Sequence, residues 1–240
     1  MVQIHSLWIG GPLSMLERLC ITSHLKNGHK YHLWTYEPVE APEGVIVKDG
    51  NEILPESEIF CYSGSKEEGG GSVSAFSNIF RYKLLSEQEV WWCDTDVVCL
   101  KPFDFEEEIV LATEDLEDGG STITSCVIKA PKSIMQDCYN QSMQEDRATL
   151  KWGVIGPSLL KRVINQKSLS MYCKSPSTFC PIPYYEIDKI FQPTLLKQES
   201  YAVHLWNEIW RRKEIDKNST GTSGCLYEAL HETYGSSTPR

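Results

Sequence analysis

The alternation of apolar and polar positions at the start of the chain predicts a strand, a helix and a second strand. Residues 3–9 form an apolar segment that stops at two glycines, and residues 31–36 form another. Between them, apolar positions recur at helical spacing up to residue 26. Ser14 precedes this helix and Glu17 follows three positions later, which is the capping-box pattern. Short links between such elements are typical of a right-handed parallel crossover, and hence of an α/β protein.

The rest of the chain continues this succession of strands and helices. Further strands are predicted at residues 45–48, 89–93, 97–100, 108–112, 122–128 and 201–205. Further helices are predicted at residues 74–86, 133–144, 155–163 and 225–234. Loops are expected at residues 66–74, which contain three consecutive glycines, at the acidic residues 114–120, and at residues 170–177, with a short strand near Met171.

No internal repeat and no shift in composition divides the sequence. We therefore predict a single α/β domain over residues 1–240. Within it, residues 217–240 are expected to form a polar segment, a terminal helix and a mobile tail beyond residue 234.

The composition narrows the class of protein. Hydrophobic residues make up 41% of the chain and aromatic residues 10%, which is enough for a folded core. The formal net charge of −10 argues against a nucleic-acid-binding protein, because such proteins present a basic surface. It does not exclude an anionic ligand held through a bound metal, since a local site can oppose the charge of the whole chain.

The cysteines and the apolar runs give an expectation about location. The nine cysteines are odd in number and none has the Cys-x-x-Cys spacing, which favours a reducing compartment without a disulfide framework. The first residues lack the basic and apolar pattern of a signal peptide. No apolar run approaches the roughly 18 residues that span a bilayer. We expect a cytoplasmic protein without a transmembrane segment.

Two carboxylates stand directly after an apolar, aromatic run. In residues 91–100 (WWCDTDVVCL), Asp94 and Asp96 are separated by one residue, so on an extended segment both side chains point to the same side. Unpaired carboxylates in apolar surroundings are costly, and a divalent cation is the usual way to neutralise them. The carboxyl ends of strands in open α/β sheets are also where ligands bind. We therefore predict a metal site that holds a phosphate; a capped and solvated turn is the structural alternative.

Two longer segments resemble a known group of enzymes. Residues 75–85 (AFSNIFRYKLL) and 91–102 (WWCDTDVVCLKP) resemble the glycosyltransferases with an Asp-x-Asp motif in a sugar-binding region, that is, family 32 and its relatives in capsular polysaccharide synthesis and α-1,4-glycosyl transfer. Weaker similarities lie in the segments IHSLWIGG, YHLWTYE, WGVIGPSLL and AVHLWNEIW. The resemblance covers most of residues 4–210. It implies a GT-A fold, in which a Rossmann-like mixed sheet is flanked by helices.

The resemblance also implies an activity and a cofactor. The enzyme would be a hexosyltransferase that moves a sugar from a nucleotide-sugar, most often a UDP-sugar, to a glycan or other hydroxyl acceptor with retention of configuration. Asp96, with Asp94 directly or through the sugar, would hold Mn²⁺ or Mg²⁺ on the diphosphate, where the ion stabilises developing negative charge. His204 would add an imidazole ligand, although a single histidine also fits a purely structural role.

Five further positions are implied to contact the donor. Arg81 and Asn78 lie three residues apart on one helix face, and would contact sugar hydroxyls and phosphate. Trp8 would stack on the uracil base, and Trp206 and Asn207 would close over the diphosphate. Four of these positions have an ordinary alternative, which is a surface ion pair for Arg81, a core position for Trp8, and packing for Trp206 and Asn207.

Some features leave other functions open. Glu114 and Asp115 follow a predicted strand and fit either an acceptor or acid–base role, or a solvated acidic loop. A nucleotidyltransferase is a second hypothesis, but the expected basic, glycine-rich phosphate loop does not follow the first strand. Asn78 stands where the family usually has aspartate. This departure leaves a third hypothesis open, namely that the chain is a non-catalytic sugar-nucleotide-binding protein on a decayed transferase scaffold.

Overall fold

The computed structural model describes residues 1–235, and the remainder of the predicted tail, residues 236–240, lies outside them. The strands are β1 (Gln3–Leu7), β2 (Lys30–Thr35), β3 (Ile46–Asp49), β4 (Trp91–Cys93), β5 (Val97–Cys99), β6 (Val110–Asp115), β7 (Ser121–Lys129) and β8 (Ala202–His204). The α-helices are α1 (Met15–Lys26), α2 (Ser74–Glu87), α3 (Lys132–Ser142), α4 (Leu159–Gln166), α5 (Pro176–Phe179), α6 (Asn207–Lys213) and α7 (Leu226–Tyr234). Short 3₁₀ turns lie at Gly50–Glu52, Glu56–Glu58, Ser170–Tyr172 and Tyr184–Phe191, and a π-helical turn at Val154–Ser158.

The strands form two sheets. The larger has six strands in the order β3-β2-β1-β4-β7-β6, and the smaller pairs β5 with β8. Strands β3, β2, β1 and β4 run parallel, whereas β7 is antiparallel to both of its neighbours, β4 and β6. The predicted α/β class and mixed sheet are therefore confirmed. Helix α1 also begins as predicted, with the Ser14 backbone N–H donating to Glu17 Oε2 at 2.8 Å.

The larger sheet is covered on both faces at β4, where all three residues are buried. Successive side chains on a strand point to opposite faces. Accordingly, Trp91 of β4 packs with Leu16 of α1 in one core, and Trp92 packs with Phe80 of α2 in the other. This explains why β4 is a continuous aromatic run rather than an alternating one. Within residues 1–235, none of the helices combines the length and the apolar character that crossing a bilayer requires.

The structure corrects the sequence predictions in three places. Glu114 and Asp115 belong to β6, opposite Thr122 and Ser121, so the acidic loop begins after them. The predicted helix at residues 155–163 starts as a π-helical turn and becomes α-helical at Leu159, because Pro157 and the non-helical Gly156 interrupt the regular ladder. The region of Met171 is a 3₁₀ turn instead of a strand. Helices α5 and α6 were not predicted.

Candidate active site

Asp94 and Asp96 lie between the two sheets. Asp94 follows β4 of the larger sheet, and its backbone N–H donates to the Cys126 carbonyl at 2.8 Å. Asp96 immediately precedes β5 of the smaller sheet. Val97 of β5 is paired with His204 of β8, which brings the imidazole beside the second carboxylate. The site is therefore assembled where the parallel strand β4 ends and the chain crosses to the second sheet.

Three side chains converge there with metal-ligating atoms. One ligand atom from each of Asp94, Asp96 and His204 lies within 4.8 Å of the other two. His204 Nε2 is 3.3 Å from Asp96 Oδ2, and both side chains are nearly buried. Two carboxylates and one imidazole are a donor set that suits Mn²⁺ or Mg²⁺. The predicted metal-binding residues are thus brought together.

The carboxylates have different electrostatic environments. Burial raises the pKa of Asp94, and the neighbouring Asp96 raises it further, while the charge of Arg81 opposes both. Burial also opposes ionisation of Asp96, but His204 and the Asn207 N–H outweigh it, so the pKa of Asp96 is lowered. Burial lowers the pKa of His204, but the charges of Asp96 and Cys126 and the hydrogen bonds to both outweigh it together, so the pKa is raised. The ionised form of Asp96 and the protonated form of His204 therefore stabilise each other.

Asp96 also fixes the backbone of the segment that follows β8. Its carbonyl accepts the Leu205 N–H at 2.8 Å, and its Oδ2 accepts the Asn207 N–H at 2.7 Å. The residue between them, Trp206, has φ 57° and ψ 54°, a left-handed conformation that a bulky side chain rarely adopts. Its ring lies on His204, with 3.8 Å between ring centroids. Asp96 therefore holds a strained turn that covers the imidazole.

Arg81 is buried, which rules out the surface ion pair as its role. Its side chain is 4% exposed and its Nη1 lies 3.1 Å from Asp94 Oδ1. The same nitrogen donates to the Ser125 carbonyl at 2.6 Å, and Nη2 donates to Ser77 Oγ at 2.9 Å. The guanidinium also lies over Trp92, 4.7 Å from the ring centroid. Arg81 is therefore held rigidly and fixes the position of Asp94.

Asn78 is one helical turn from Arg81 and is also buried. Its Oδ1 accepts a hydrogen bond from Ser125 Oγ at 3.2 Å. Its amide packs against Gly156, where an added Cβ would lie 2.9 Å from Asn78 Nδ2. Tyr82, on the same helix as Asn78, donates from its Oη to the Gly156 carbonyl at 3.2 Å. The backbone at Gly156 therefore fixes the position of the Asn78 amide.

A second polar group lies beside the Asp96 turn and involves the start of α1. Asn207 Nδ2 donates to Glu17 Oε1 at 3.3 Å, and Lys217 Nζ lies 2.7 Å from the same oxygen. Glu17 is fully buried. Lys217 Nζ is also 5.3 Å from the centroid of the half-buried Trp8 ring, whose Nε1 donates to the Gly11 carbonyl at 2.8 Å. The capping glutamate predicted for α1 thus also anchors the site, a link that the sequence did not reveal.

These groups line one cleft of about 970 Å³, a size typical of small-molecule sites. All eight predicted site residues line it, namely Trp8, Asn78, Arg81, Asp94, Asp96, His204, Trp206 and Asn207. The lining also includes residues that the sequence analysis did not propose: Tyr62, Ser77, Trp152, Glu208, Arg211, Arg212 and Lys217. Trp152 was signalled by its place in the WGVIGPSLL segment, whereas the others carry no local motif.

Glu114 lines the same cleft and is buried, so the solvated-loop alternative is wrong for this residue. Burial raises its pKa to about 7, against a smaller opposing effect of His204. Asp115, its neighbour on β6, is exposed on the other face. Alternation along the strand therefore separates the two acidic residues, and only Glu114 is available to a ligand in the cleft.

One known protein family matches the carboxyl-terminal half of the chain. Residues 129–238 match the family model described as the alpha 1,4-glycosyltransferase conserved region. The match covers 110 of the 240 residues and bears out the predicted resemblance to α-1,4-glycosyltransferases. It includes His204, Trp206 and Asn207, whereas Asp94 and Asp96 lie before the matched segment.

Two solved glycosyltransferase structures align with most of this chain at low sequence identity. The PaToxG glycosyltransferase is 12% identical, with a TM-score of 0.48, 96% of this chain covered and 86% of that one. The glycosyltransferase GlyE of Streptococcus pneumoniae TIGR4 is 13% identical, with a TM-score of 0.47 and 97% of this chain covered. This chain spans 64% of the length of that GlyE structure.

Proposed function

We propose that this glycosyltransferase is metal-dependent and transfers a hexose from a nucleotide-sugar, in the first place a UDP-sugar, to a hydroxyl group of a glycan or similar acceptor. The observation that supports the proposal best is the convergence of Asp94, Asp96 and His204 within 4.8 Å in a cleft large enough for a nucleotide-sugar. A nucleoside diphosphate carries several negative charges, and this net-acidic cluster accepts it only through a cation.

The residues present fit a divalent ion. Asp94, Asp96 and His204 would hold it, since carboxylate oxygens and an imidazole nitrogen are the ligands that Mn²⁺ takes in proteins. Arg81 and the Asn207 N–H already fix the two carboxylates, so little ordering remains for binding. When bound, the ion supplies positive charge that stabilises the departing diphosphate.

The remaining residues are proposed to bind and orient the donor. The Asn78 amide and the Ser77 hydroxyl line the cleft beside Arg81, where they offer donors and acceptors to sugar hydroxyls. Trp8 presents a half-buried ring for the nucleobase, and Lys217 beside it adds a cation near the phosphates. Trp206 covers His204 and limits the access of water to the cluster.

Glu114 is proposed to face the acceptor. Its carboxyl lines the cleft and has a pKa of about 7 because of burial, so it is able to accept or donate a proton near neutral pH. We assign to it the hydrogen bond that orients the attacking hydroxyl group. Retention of anomeric configuration, implied by the family resemblance, is checked by recording the proton NMR spectrum of the product as it forms.

The whole described chain is proposed to act as one domain. The cleft takes Trp8 from the end of β1 and Lys217 from beyond α6, so it needs both ends of the chain. A fragment that begins after Leu7 or ends before Lys217 loses part of the cleft lining.

The test uses purified protein and a panel of UDP-, GDP- and CDP-sugars, with and without MnCl₂. Release of the nucleotide is measured in the presence of mixed glycan acceptors. We expect manganese-dependent turnover with at least one nucleotide-sugar, and a loss on the order of 10²-fold or more in Asp96→Asn, because the substitution removes a charge that holds the cation. Asp118→Asn is the matched control, since Asp118 is exposed beyond β6.

Three results would contradict the proposal. Turnover that is unchanged by chelation and by Asp96→Asn would remove the metal from the mechanism. Equal losses in Asp96→Asn and Asp118→Asn would show that the site lies elsewhere. Binding of nucleotide-sugars without any turnover would favour the non-catalytic alternative.

A further inference from the structure

Trp152 differs from the other tryptophans of this chain. The sequence has seven tryptophans, and Trp152, at 40%, is the one with an exposed side chain. It also lines the same cleft as Asp94 and Asp96. Single exposed apolar side chains are ordinary on protein surfaces, so it is the combination of exposure with a place in the cleft lining that points to a ligand.

The indole ring is held in place from several sides. It packs on Tyr62, with 5.1 Å between ring centroids, and the Arg212 guanidinium lies 4.6 Å from its centroid. The glycine-rich loop (residues 66–74) approaches it so closely that a Cβ added to Gly69 would lie 2.3 Å from Trp152 Cε3. Gly153, in the left-handed region at φ 81°, turns the chain immediately after it. The exposed ring is therefore fixed in advance of ligand binding.

The surroundings of the ring are polar and charged. Arg212 Nε donates to Glu208 Oε1 at 2.8 Å, and Arg211 makes two hydrogen bonds of 2.8 Å to the same carboxylate. Arg212 Nη2 is buried from solvent and has no hydrogen-bond partner among residues 1–235. An apolar ring face bordered by fixed hydrogen-bonding groups matches a pyranose, which presents a C–H face and a rim of hydroxyls.

The position of the ring favours the acceptor over the donor. Asp96 and His204 are buried and Asp94 is partly exposed at 25%, whereas Trp152 is exposed at 40%. A donor bound through its diphosphate occupies the buried end, and the outer end stays open for the second substrate. A ring at this outer end also allows a longer glycan to extend into solvent.

We propose that Trp152, supported by Arg212 and by the glycine-rich loop, is the stacking platform for the terminal pyranose of a carbohydrate acceptor. The proposal deepens the function proposed above and rests on it for the identity of the reaction. It also gives Gly69 a role: this residue brings the loop backbone against the indole.

The test compares Trp152→Ala and Trp152→Phe with the intact chain, and uses two measurements. The first is steady-state transfer, with the KM for the acceptor and the KM for the donor determined separately, together with donor hydrolysis in the absence of acceptor. The second is saturation-transfer NMR with methyl glucoside, methyl galactoside, methyl N-acetylglucosaminide and lactose, which needs no turnover. Leu195→Ala is the control, because Leu195 is 98% exposed and lies outside the cleft lining.

We expect Trp152→Ala to raise the acceptor KM by about tenfold and Trp152→Phe to raise it less, since a phenyl ring keeps part of the stacking surface. Donor KM and donor hydrolysis stay unchanged, and the NMR signal of the bound glycoside is lost in the alanine variant. A higher donor KM with an unchanged acceptor KM would overturn the proposal and place the ring at the donor.

The two proposals fail in different ways. Turnover by the wild-type chain with an unchanged acceptor KM in Trp152→Ala overturns the platform and keeps the transferase mechanism. Glycoside binding that depends on Trp152, without turnover of any nucleotide-sugar, keeps the platform and overturns the mechanism. Thermal unfolding of each variant excludes misfolding as the cause, and Trp152→Phe gives the same comparison with the least disturbance of Gly69 and Arg212.

Discussion

Replacing Glu114 with glutamine is expected to stabilise the protein, and to do so only above a certain pH. The carboxyl group is buried in β6 and lines the cleft, and burial raises its pKa to about 7 from an ordinary value of 4.5. In the unfolded chain the group loses its proton at the lower value. As pH rises between these two values, the unfolded state ionises more readily than the folded state, so the free energy of unfolding falls.

The magnitude follows from the two pKa values. A folded-state pKa of about 7 against an ordinary value of 4.5 corresponds to about 3 kcal/mol, at ~1.4 kcal/mol per pKa unit. The burial cost is absent below pH 4.5 and complete above pH 7. Glutamine has nearly the same shape and cannot ionise. Glu114→Gln should therefore be more stable than the wild-type chain by up to about 3 kcal/mol at pH 8, and by much less at pH 5.

The assay is urea unfolding at 25 °C, followed by circular dichroism in the presence of EDTA, at pH 5 and pH 8. Chelation is needed because a bound cation would change the electrostatics of the cleft. Glu117→Gln is the control, because it makes the same chemical change at an exposed position of the following turn. The reasoning is refuted if the stability difference between Glu114→Gln and wild type is the same at both pH values, or if Glu117→Gln reproduces it.

Two further predictions concern packing around the cleft. Gly69→Ala should destabilise the chain more than Gly71→Ala: both glycines have positive φ, at 94° and 79°, but only at Gly69 does the new Cβ meet Trp152. Urea unfolding followed by tryptophan fluorescence measures the free energy of unfolding of both variants. Equal losses of stability would contradict the contact. Lys217→Met should lower the free energy of unfolding by about 3 kcal/mol, because the buried Glu17 carboxylate loses its cation. Adding Glu17→Gln should restore part of this loss in the same assay. A double variant that is no more stable than Lys217→Met would contradict the pairing.

The sequence predicted local features well because their causes are local. The capping box of α1 needs only Ser14 and Glu17, three residues apart, and both of its hydrogen bonds form. The Asp94 and Asp96 pair was recognised because carboxylates after a buried run require neutralisation. Arg81 was placed correctly on one helix face with Asn78, but its burial depends on β7, whose Ser125 carbonyl it binds.

What the sequence could not provide are contacts made by distant segments. His204 reaches Asp96 through the pairing of β5 with β8, which lie about a hundred residues apart, and no periodicity specifies such a pairing. Lys217 reaches Glu17 over a separation of 200 residues. Glu114 was ambiguous because a cluster of acidic residues is typical of a loop, whereas pairing with Thr122 extends the strand and turns this one side chain inward.

Asp94 directly follows a strand of the six-stranded sheet and Asp96 directly precedes a strand of the two-stranded sheet, and this has a consequence for how the molecule opens. A ligand that contacts both carboxylates links the ends of the two sheets. Its binding free energy therefore opposes any separation of the two-stranded sheet from the six-stranded one. By mass action, a ligand at 100 times its dissociation constant adds about 2.7 kcal/mol to that separation. Hydrogen exchange of β5 and β8 should therefore slow more than that of β1 and β2 when manganese is added.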